Sequence, residues 1–560
     1  MTSLRIGPLV RATYTTSAVI WVETVQPCTI TLNVTSFDDP QEKAAGVTMR
    51  TVMVGGRSYA AMQLNGLQPA TWYNYSLSTE SDERSEQVVP YQCFRTLSSP
   101  TRTDSPPETP SHQPLRVAYG SCRKLTEPEK DTLPAFGSWL IERFEEREHL
   151  WPHLLLLIGD QIYADEPAPD IVKRHPHLKN GAQTFSDFAS MYEYAWTSNE
   201  GVRQVLAVLP TFMIFDDHEV TNGWNISPTW RARALQRGLE QILVDGLIAY
   251  WIYQGWGNLS QSSPTQNVLL EIMQNAAKAG EDALEQLRAC IRQEVYGETY
   301  LHWHYEISTT PPIFVADVRA DRPALFSTRQ SFTDAAARIM TEQQMNELRQ
   351  WLYKNDSSVS LLVSSVPLLL PPLIGFAEYM MGIRPFSTRI MPLRWLGKLI
   401  GRIQQKLAVR TSFDHWPVFA ATWHELVEAL AKRKEDILVL SGDVHFSYAV
   451  EAHQKKARRA AKLYQFVCTP LQNVLGRKSR NMILQQARIK SATYGGLRTR
   501  MLPLHTAKDK GRIAHDMLLL NTLAIVTLEP QEMGKYTIRQ DYLELREGKL
   551  QVIGYTVIEK

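Results

Sequence analysis

The chain has 560 residues, of which 44% are hydrophobic and 21% charged, and its formal net charge at pH 7 is +2. This length exceeds the roughly 250 to 300 residues at which one hydrophobic core stops growing, so we expect at least two globular domains. The small net charge excludes a protein-wide field of the kind that attracts nucleic acid, and we predict no specific nucleic-acid partner.

The cysteines and the N-terminus restrict the compartment. The five cysteines are widely separated and form no CxxC pair, so the sequence predicts neither a disulfide framework nor a zinc knuckle. The first residues lack the features of a signal peptide, and no run has the apolar length of a membrane span. We therefore predict a cytoplasmic protein.

Residues 1–97 are predicted to form an all-β domain. Segments 18–24 and 29–35 alternate apolar and polar side chains, as half-buried strands do. Segment 67–77 contains Tyr73 and resembles the tyrosine corner of fibronectin type III and Ig-like sandwiches, in which the hydroxyl bonds to upstream backbone. The alternative is one more strand after a proline turn.

A linker and a second domain follow. Residues 98–114 include five prolines and no apolar periodicity, which is typical of a semi-rigid linker. Beyond it, strands alternate with helices, so residues 115–560 are predicted to form one α/β catalytic domain that the C-terminal strands complete. The predicted helices are 137–151, 231–253 and 421–435, and the predicted strands include 311–319, 360–370, 462–470, 520–530 and 535–544.

Four apolar runs in this domain each end in a cluster of polar side chains suited to metal binding or proton transfer. They span residues 116–124, 153–165, 210–220 and 436–447. Open α/β sheets place ligand sites beyond the carboxyl ends of their strands, so the four clusters are expected to share one site. The sequence therefore predicts a metalloenzyme.

The first two clusters offer Cys122, Asp160 and Tyr163 as metal ligands. Arg123 and Lys124 favour a thiolate at Cys122, Asp160 could bridge two cations, and Tyr163 could bind as a phenolate. The alternatives are a cysteine that packs as a small hydrophobe, an aspartate that caps a turn and a tyrosine that packs.

In the third cluster we predict Asp217 as a metal ligand and His218 as a proton donor or transition-state stabiliser, with Asp216 and Glu219 orienting them. The alternative is a helix N-cap made by one of the aspartates.

In the fourth cluster Asp443 and His445 are two residues apart, so they share one face if the strand continues. That spacing can serve two adjacent metals. A surface His–Asp pair is the alternative.

The motifs GSC, GDQIY, DDHE and SGDVH, in this order, resemble the PhoD-type alkaline phosphatases of the calcineurin-like metallophosphoesterase superfamily. The resemblance implies an α/β (α+β) fold, in which a metallophosphoesterase-like two-sheet sandwich is flanked by helices and preceded by a small fibronectin-like domain. It further implies iron(III) held by Cys122, Asp160, Tyr163 and His445, with Asp160 bridging to a calcium site.

The implied calcium site includes Asp217 and Asp443. Independently, thiolate, phenolate and imidazole suit a transition metal, whereas carboxylates suit calcium or magnesium. Because cytosolic calcium is scarce, magnesium or manganese is an alternative occupant of this second site. The segment 412–417 departs from the family pattern, which leaves Asp414 and His415 as weaker candidates for extra ligands.

Three arginines are candidates for contact with phosphate oxygens. Arg319 and Arg322 lie in a segment similar to the family's LDTR-type strand end, and Arg123 follows Cys122. Surface arginines are an equally expected alternative for the segment.

The predicted function is metal-dependent hydrolysis of a phosphate ester, in which a metal-activated hydroxide attacks phosphorus in line, with Asp217, His218 and Arg123 as catalytic residues. The alternatives are a phosphodiesterase acting on phospholipids or nucleotides and a non-catalytic metal-binding protein. Residues 384–410 carry seven basic and no acidic residues, which suits peripheral contact with a membrane or another anionic surface, or a lid, although a solvated helix face is the more ordinary interpretation. The partner of the N-terminal domain is unknown.

Overall fold

The computed structural model describes residues 4–39, 43–80, 88–99, 114–259, 264–326, 338–354, 359–383, 413–454, 461–531 and 535–559. The basic stretch 384–410 and nearly all of the linker 98–114 lie outside the described residues, so the predictions for them stay predictions.

Strands make up most of the N-terminal and C-terminal parts of the chain. They are β1 Leu4–Thr13, β2 Ser17–Thr24, β3 Thr29–Ser36, β4 Lys43–Arg50, β5 Val52–Val54, β6 Arg57–Asn65, β7 Trp72–Thr79, β8 Cys93–Arg95, β9 Leu115–Gly120, β10 Leu154–Ile158, β11 Thr211–Ile214, β12 Tyr305–Ile307, β13 Ile313–Ala316, β14 Val359–Ser364, β15 Asp436–Ser441, β16 Ser447–Gln454, β17 Leu463–Val467, β18 Ser491–Tyr494, β19 Leu497–Met501, β20 His505–Thr506, β21 Met517–Leu518, β22 Leu523–Pro530, β23 Tyr536–Arg546 and β24 Lys549–Glu559.

The α-helices among the described residues all lie after residue 130. They are α1 Thr132–Glu142, α2 Arg147–Leu150, α3 Pro169–Arg174, α4 Phe185–Thr197, α5 Glu200–Val208, α6 Trp230–Gln236, α7 Glu240–Tyr250, α8 Pro264–Ala279, α9 Leu284–Val295, α10 Glu342–Lys354, α11 Pro372–Gly382, α12 Ala420–Lys432 and α13 Arg477–Gln486. A π-helical turn, Trp251–Gly255, continues α7. None of the described helices combines the length and the apolar character that crossing a membrane requires.

The N-terminal strands form two four-stranded sheets, ordered β1-β2-β6-β5 and β4-β3-β7-β8. Alternate side chains of both sheets, such as Ile20, Leu32 and Met62, meet in one buried core, as expected for a β-sandwich. The backbone N–H of Gln68 donates to the hydroxyl of Tyr73 at 2.7 Å, which is the bond to upstream backbone that a tyrosine corner makes.

Two larger sheets confirm the predicted α/β class for the rest of the chain. One is ordered β11-β10-β9-β22-β23-β24-β20; the other runs β12-β13-β14-β15-β17-β16-β19-β18, and β21 pairs with β16. Val117 and Leu156 of the first sheet share a buried core with Leu438 and Phe466 of the second. The C-terminal strands join the first sheet because β22 pairs with β9.

Two predicted helices are interrupted. The predicted helix 137–151 is instead α1 and α2, which start earlier and leave a gap after Arg143, where φ is −115°. The predicted helix 231–253 is divided by Gly238, whose φ of +77° lies in the left-handed region that ends helices. Apolar periodicity continued across both breaks, which is why the sequence alone joined them.

The predicted strand 311–319 is also shorter than expected. β13 ends at Ala316, and Asp317 then accepts hydrogen bonds from the backbone N–H groups of Arg319 at 3.0 Å and Ala320 at 2.9 Å. An aspartate that bonds to backbone two and three residues later forms a turn in place of the strand.

The four polar clusters lie where the sequence predicts them, beyond the ends of β9, β10, β11 and β15. β9, β10 and β11 are parallel neighbours in the first large sheet, so their carboxyl ends lie at one edge. The thiol of Cys122 donates to the carbonyl oxygen of Asp443 at 3.5 Å, and the backbone N–H of Asp443 donates to Ser121 Oγ at 3.2 Å. These contacts join the loop after β15, from the second sheet, to the other three.

Candidate metal centre

The four ligands predicted for the first metal come together. One donor atom each of Cys122, Asp160 and His445 lies within 4.8 Å of the others. The hydroxyl of Tyr163 is 3.2 Å from Asp160 Oδ2 and 3.4 Å from His445 Nε2. Sulfur, phenol oxygen, carboxylate and imidazole therefore converge on one point.

The backbone at this point is strained. Cys122, Asp160, Asp443 and His445 have φ values of 55°, 55°, 67° and 61°, in the left-handed region that side chains other than glycine rarely adopt. Such strain persists only where surrounding contacts determine the conformation, and it concentrates at functional sites. The loops therefore depart from regular backbone conformation at the residues whose donor atoms lie together.

A second group of carboxylates adjoins the first. Donor atoms of Asp216, Asp217 and Asp443 lie within 4.8 Å of one another, and so do those of Asp160, Asp217 and His218. Asp160 thus lies with Cys122 and His445 in one group and with Asp217 in another, so it connects the thiol donors to the carboxylates as a bridging ligand would. Asp216, predicted only as an orienting residue, is itself a member of the carboxylate group.

Burial and mutual repulsion oppose the charged forms of two candidate ligands. Burial, reinforced by the charges of Asp216 and Asp217, raises the pKa of Asp160 well above its usual range, against the opposing charge of His218. Burial also raises the pKa of the Cys122 thiol far above its ordinary value, and the charges of Asp160 and Asp443 add to this effect.

The residues present fit the implied metal ions. Asp216 Oδ2 is buried and has no hydrogen-bond partner among the described residues, a costly state that a cation would relieve. Thiol, phenol and imidazole on one side and carboxylates on the other match the ligand preferences of a transition metal and of a hard divalent cation, respectively.

Glu219 fixes the backbone of two ligand loops. Its Oε2 accepts from the backbone N–H of Asp160 at 3.0 Å and of Asp216 at 2.9 Å, and its Oε1 accepts from that of Gln161 at 2.7 Å. Asp216 also caps the short 3₁₀ turn Asp217–Glu219, so the N-cap interpretation holds together with membership of the carboxylate group.

His218 is paired with Asp165, a residue that the sequence reasoning missed. His218 Nδ1 lies 2.7 Å from Asp165 Oδ1, and the imidazole stacks on the Tyr163 ring at a centroid distance of 4.1 Å. Burial opposes the charged imidazole, but the bond to Asp165 and the nearby charges of Asp160 and Asp217 prevail and raise the pKa of His218 to about 10. The pairing with Asp165 therefore favours the protonated form of the imidazole.

Arg319 occupies the carboxylate side as a buried cation. Its guanidinium pairs with Asp216 and Asp414, and with Asp443 at 3.1 Å. Arg322 pairs with Asp414 and donates to its carbonyl oxygen at 2.9 Å. Both arginines are only 2% exposed, so the structure places them among protein carboxylates and not on an open surface.

Arg123 has two buried protein partners. The guanidinium is buried, pairs with Asp131 at 2.8 Å and donates to the carbonyl oxygen of Ala195 at 2.7 Å. These partners are structural, so the free guanidinium expected beside Cys122 is not what the structure shows, and phosphate contact by Arg123 stays a prediction.

Two further groups contact the ligands. His415, predicted only as a weak extra ligand, links Glu378 and Asp443, with its Nδ1 at 2.7 Å from Glu378 Oε1 and its Nε2 at 3.1 Å from Asp443 Oδ2.

The side-chain amide of Asn473 donates to the Tyr163 hydroxyl at 2.9 Å and lies 3.3 Å from His445 Nε2. Asn473 follows β17, so the rule that polar residues after strands build sites could have found it. A lone acid in the apolar helix α11 was the signal for Glu378.

Comparisons with known proteins identify the family and the fold of the chain. A family model described as PhoD-like phosphatase matches residues 121–517, and one described as a domain of unknown function (DUF7800) matches residues 1–96. A solved structure described as the structure of PhoD has a TM-score of 0.60 at 14% sequence identity and covers 100% of this chain and 90% of that chain, which shows a shared fold.

A weaker similarity involves the sensor domain of an anti-sigma factor in Pseudobacteroides cellulosolvens, at 19% identity and a TM-score of 0.13. It covers 17% of this chain and 92% of that chain. The comparison with curated proteins returns no match.

Proposed function

The chain belongs to the PhoD-like phosphatase family, and from this premise we propose that it is a metal-dependent phosphoester hydrolase whose centre is the donor cluster around Asp160. The observation that carries the proposal is the convergence of Cys122, Asp160, Tyr163 and His445 on one point beside the carboxylates of Asp217 and Asp443. A packing role does not explain buried, strained and mutually repelling donors.

In this proposal Cys122, Asp160, Tyr163 and His445 hold iron(III), and Asp217 and Asp443, with Asp160 shared, hold calcium, magnesium or manganese. Asp216 adds a carboxylate that the sequence assigned to orientation. Cations bound at these residues supply Lewis-acid activation of water and neutralise the charge of the phosphate.

His218 is proposed to donate a proton to the leaving oxygen of the ester. Asp165 holds Nδ1, which fixes the orientation of the ring and leaves Nε2 as the nitrogen that can face a substrate. The stacking of the ring on Tyr163 restricts its rotation. A donor with a raised pKa stays protonated through neutral pH, as the departure of an alkoxide requires.

Arg319, Arg322 and Arg123 were predicted to contact phosphate. Arg319 is the stronger candidate, because it already contacts Asp216 and Asp443 of the carboxylate group, whereas the bonds of Arg123 described above go to Asp131 and Ala195. Arg322 pairs with Asp414, which in turn pairs with Arg319. These contacts support a role for Arg322 in positioning the Asp414 carboxylate beside Arg319.

The test is hydrolysis of a chromogenic phosphate monoester and diester by purified protein supplied with iron and calcium, together with elemental analysis of protein purified without added metal. We expect bound iron and turnover, and we expect Asp160→Ala to abolish turnover. Asp170→Ala is the matched control, since Asp170 is an exposed aspartate paired with Lys173. Full activity of Asp160→Ala would overturn the assignment.

The same experiment separates the alternatives. Bound metal without turnover of either ester would favour a non-catalytic metal-binding protein. Turnover of the diester alone would favour a phosphodiesterase acting on nucleotides or phospholipids, and added liposomes would then distinguish these two substrate classes.

A further inference from the structure

A buried arginine of the N-terminal sheet reaches across to the catalytic part of the chain. Arg11, on β1, is completely buried. Its guanidinium donates to four acceptors beyond residue 200: the carbonyl oxygens of Thr211 at 3.0 Å, Tyr253 at 2.8 Å and Gln254 at 2.7 Å, and Asn258 Oδ1 at 3.0 Å. A single side chain of the N-terminal region thus contacts the start of β11 and the helical segment 253–258 that follows α7.

The helical segment that Arg11 contacts has an unusual conformation. After α7 the chain makes the π-helical turn Trp251–Gly255, and π turns are rare and frequent at functional sites. The carbonyl groups at a helix C-terminus carry partial negative charge, so a buried guanidinium stabilises them. Arg11 therefore supplies the charge and the donors that this turn requires.

The π turn positions Gln254, a polar side chain in an otherwise apolar segment. The Gln254 side chain is completely buried, and its Nε2 donates to Glu219 Oε1 at 2.9 Å and to the hydroxyl of Tyr192 at 2.9 Å. Glu219 is the carboxylate that receives the backbone N–H groups of Asp160, Gln161 and Asp216. An unbroken series of hydrogen bonds therefore runs from β1 to the backbone of the candidate ligands.

We propose that Arg11 and Gln254 are positioning residues of the metal centre, and that the N-terminal domain thereby forms part of the framework of that centre. Arg11 fixes the π turn, the turn aims Gln254 at Glu219, and Glu219 holds Asp160 in its left-handed conformation. The inference rests on the proposed function, because it assigns these residues to the ligand loops of the proposed hydrolase.

The strain at Asp160 explains why such support is needed. A residue with φ of 55° returns to regular backbone unless its N–H group and its neighbours are held. Gln254 restricts the Glu219 carboxylate that binds that N–H, so loss of the Gln254 donor frees the carboxylate and then the loop. Groups that hydrogen-bond a metal ligand directly usually change metal affinity by about 10- to 100-fold, and Gln254 acts one step further away through Glu219, so we expect the lower end of this range.

The test uses Gln254→Met, which keeps the length of the side chain but removes the donor, and Arg11→Met, with Arg11→Lys in its place if Arg11→Met does not fold. Tyr192→Phe removes the other partner of the Gln254 amide. Tyr75→Phe removes a hydrogen bond from β7 to the carbonyl oxygen of Ala207, 2.8 Å long, which connects the same two parts of the chain elsewhere.

Two measurements on the full chain decide the outcome. Calorimetry measures the affinity for Mn²⁺ at a temperature at which every variant is folded, and hydrogen exchange of the metal-free protein measures protection of peptides that contain Asp160, Gln161 and Asp216. We expect the Gln254 and Arg11 variants to bind Mn²⁺ at least about tenfold more weakly than the parent protein. We also expect faster hydrogen exchange in those peptides. The Tyr75→Phe control should resemble the parent protein, and Tyr192→Phe, which leaves the Gln254 donor to Glu219 in place, should have a smaller effect than Gln254→Met.

Parental Mn²⁺ affinity and parental exchange in the two variants would overturn the inference, whatever their melting temperatures. A parent protein that binds no Mn²⁺ and hydrolyses no ester would overturn the proposed function separately. The exchange measurement would still decide whether Arg11 and Gln254 hold the loops.

Discussion

The two sides of the candidate metal centre differ in how their charge is balanced. On the thiol side, burial lowers the pKa of His445 to about 4 and raises the pKa of Cys122 and Tyr163, so the donors tend to be neutral. On the carboxylate side, Arg319 already pairs with Asp216 and Asp443. Burial there opposes the charged Asp443, but His415 and Arg319 prevail and hold its pKa below the usual range.

This contrast indicates different requirements for metal. The thiol side reaches its ligating, deprotonated state only if a cation replaces the missing positive charge. The carboxylate side is partly neutralised by Arg319, although burial still raises the pKa of Asp216 well above its usual range, so a cation has less missing charge to supply there. The following predictions test this division.

The largest effect is expected for Asp160→Asn, because Asp160 groups with Cys122 and His445 on the thiol side and also with Asp217 of the carboxylate side. The amide keeps the size but loses the charge, so we expect kcat/KM for a chromogenic ester to fall at least about thousandfold, which is ~4 kcal/mol. Asp170→Asn, at an exposed position, should leave it unchanged. Retention of one metal and of most of the activity would show that the two sides are independent.

Arg319→Met should show how much of the positive charge on the carboxylate side the Arg319 guanidinium supplies. Removing one member of a buried ion pair leaves uncompensated charge, so we expect the free energy of unfolding without metal to fall by about 3–5 kcal/mol. Added Ca²⁺ should restore more stability to this variant than to the parent in a denaturant titration. Arg231→Met, a buried arginine near Glu294, serves as the control and should show no such dependence on Ca²⁺.

Cys122→Ser should affect the thiol side selectively. A hydroxyl ligates a transition metal much more weakly than a thiolate, so we expect loss of bound iron, loss of long-wavelength charge-transfer absorption and about a hundredfold lower activity, or ~2.7 kcal/mol. Cys468→Ser is the control, because Cys468 is also buried but its thiol donates to the carbonyl oxygen of Thr522 at 3.5 Å. Unchanged absorption and iron content would remove the cysteine from the site.

Asn473→Leu should give the smallest effect. The amide donates to Tyr163 and lies beside His445, so its loss removes one hydrogen bond from the phenol oxygen without removing a ligand. We expect about a tenfold loss of activity, ~1.4 kcal/mol, together with a shift of the absorption band. A shift without loss of activity would confine Asn473 to tuning the phenol.

The sequence predicted the parts of the site that depend on local pattern. Cys122, Asp160, Asp217 and Asp443 each follow an apolar strand, and parallel strands bring such ends together whatever the rest of the chain does. Reading the same rule past β17 would have added Asn473.

Other features depend on contacts that no local pattern records. The ion pairs of Arg319 join residues about 100 positions apart, and Arg11 contacts Gln254 across 243 positions. A pattern of residue types identifies an arginine near a site but does not say whether its partner is a phosphate or an aspartate. The sequence predicts phosphate contact for Arg123, and the structure adds an ion pair with Asp131 that the pattern did not indicate.

The left-handed backbone of four candidate ligands also bears on how this protein can be improved. Glycine adopts such φ values without steric cost, so glycine at Cys122, Asp160, Asp443 or His445 would relieve local strain by about 1 kcal/mol each. A screen of a mutant library for heat resistance alone would therefore act most strongly against Cys122, whose thiol bonds to neutral groups, and least against Asp443, where glycine would break buried ion pairs with Arg319 and His415. Selection for thermostability in this fold must be coupled to a measurement of bound metal.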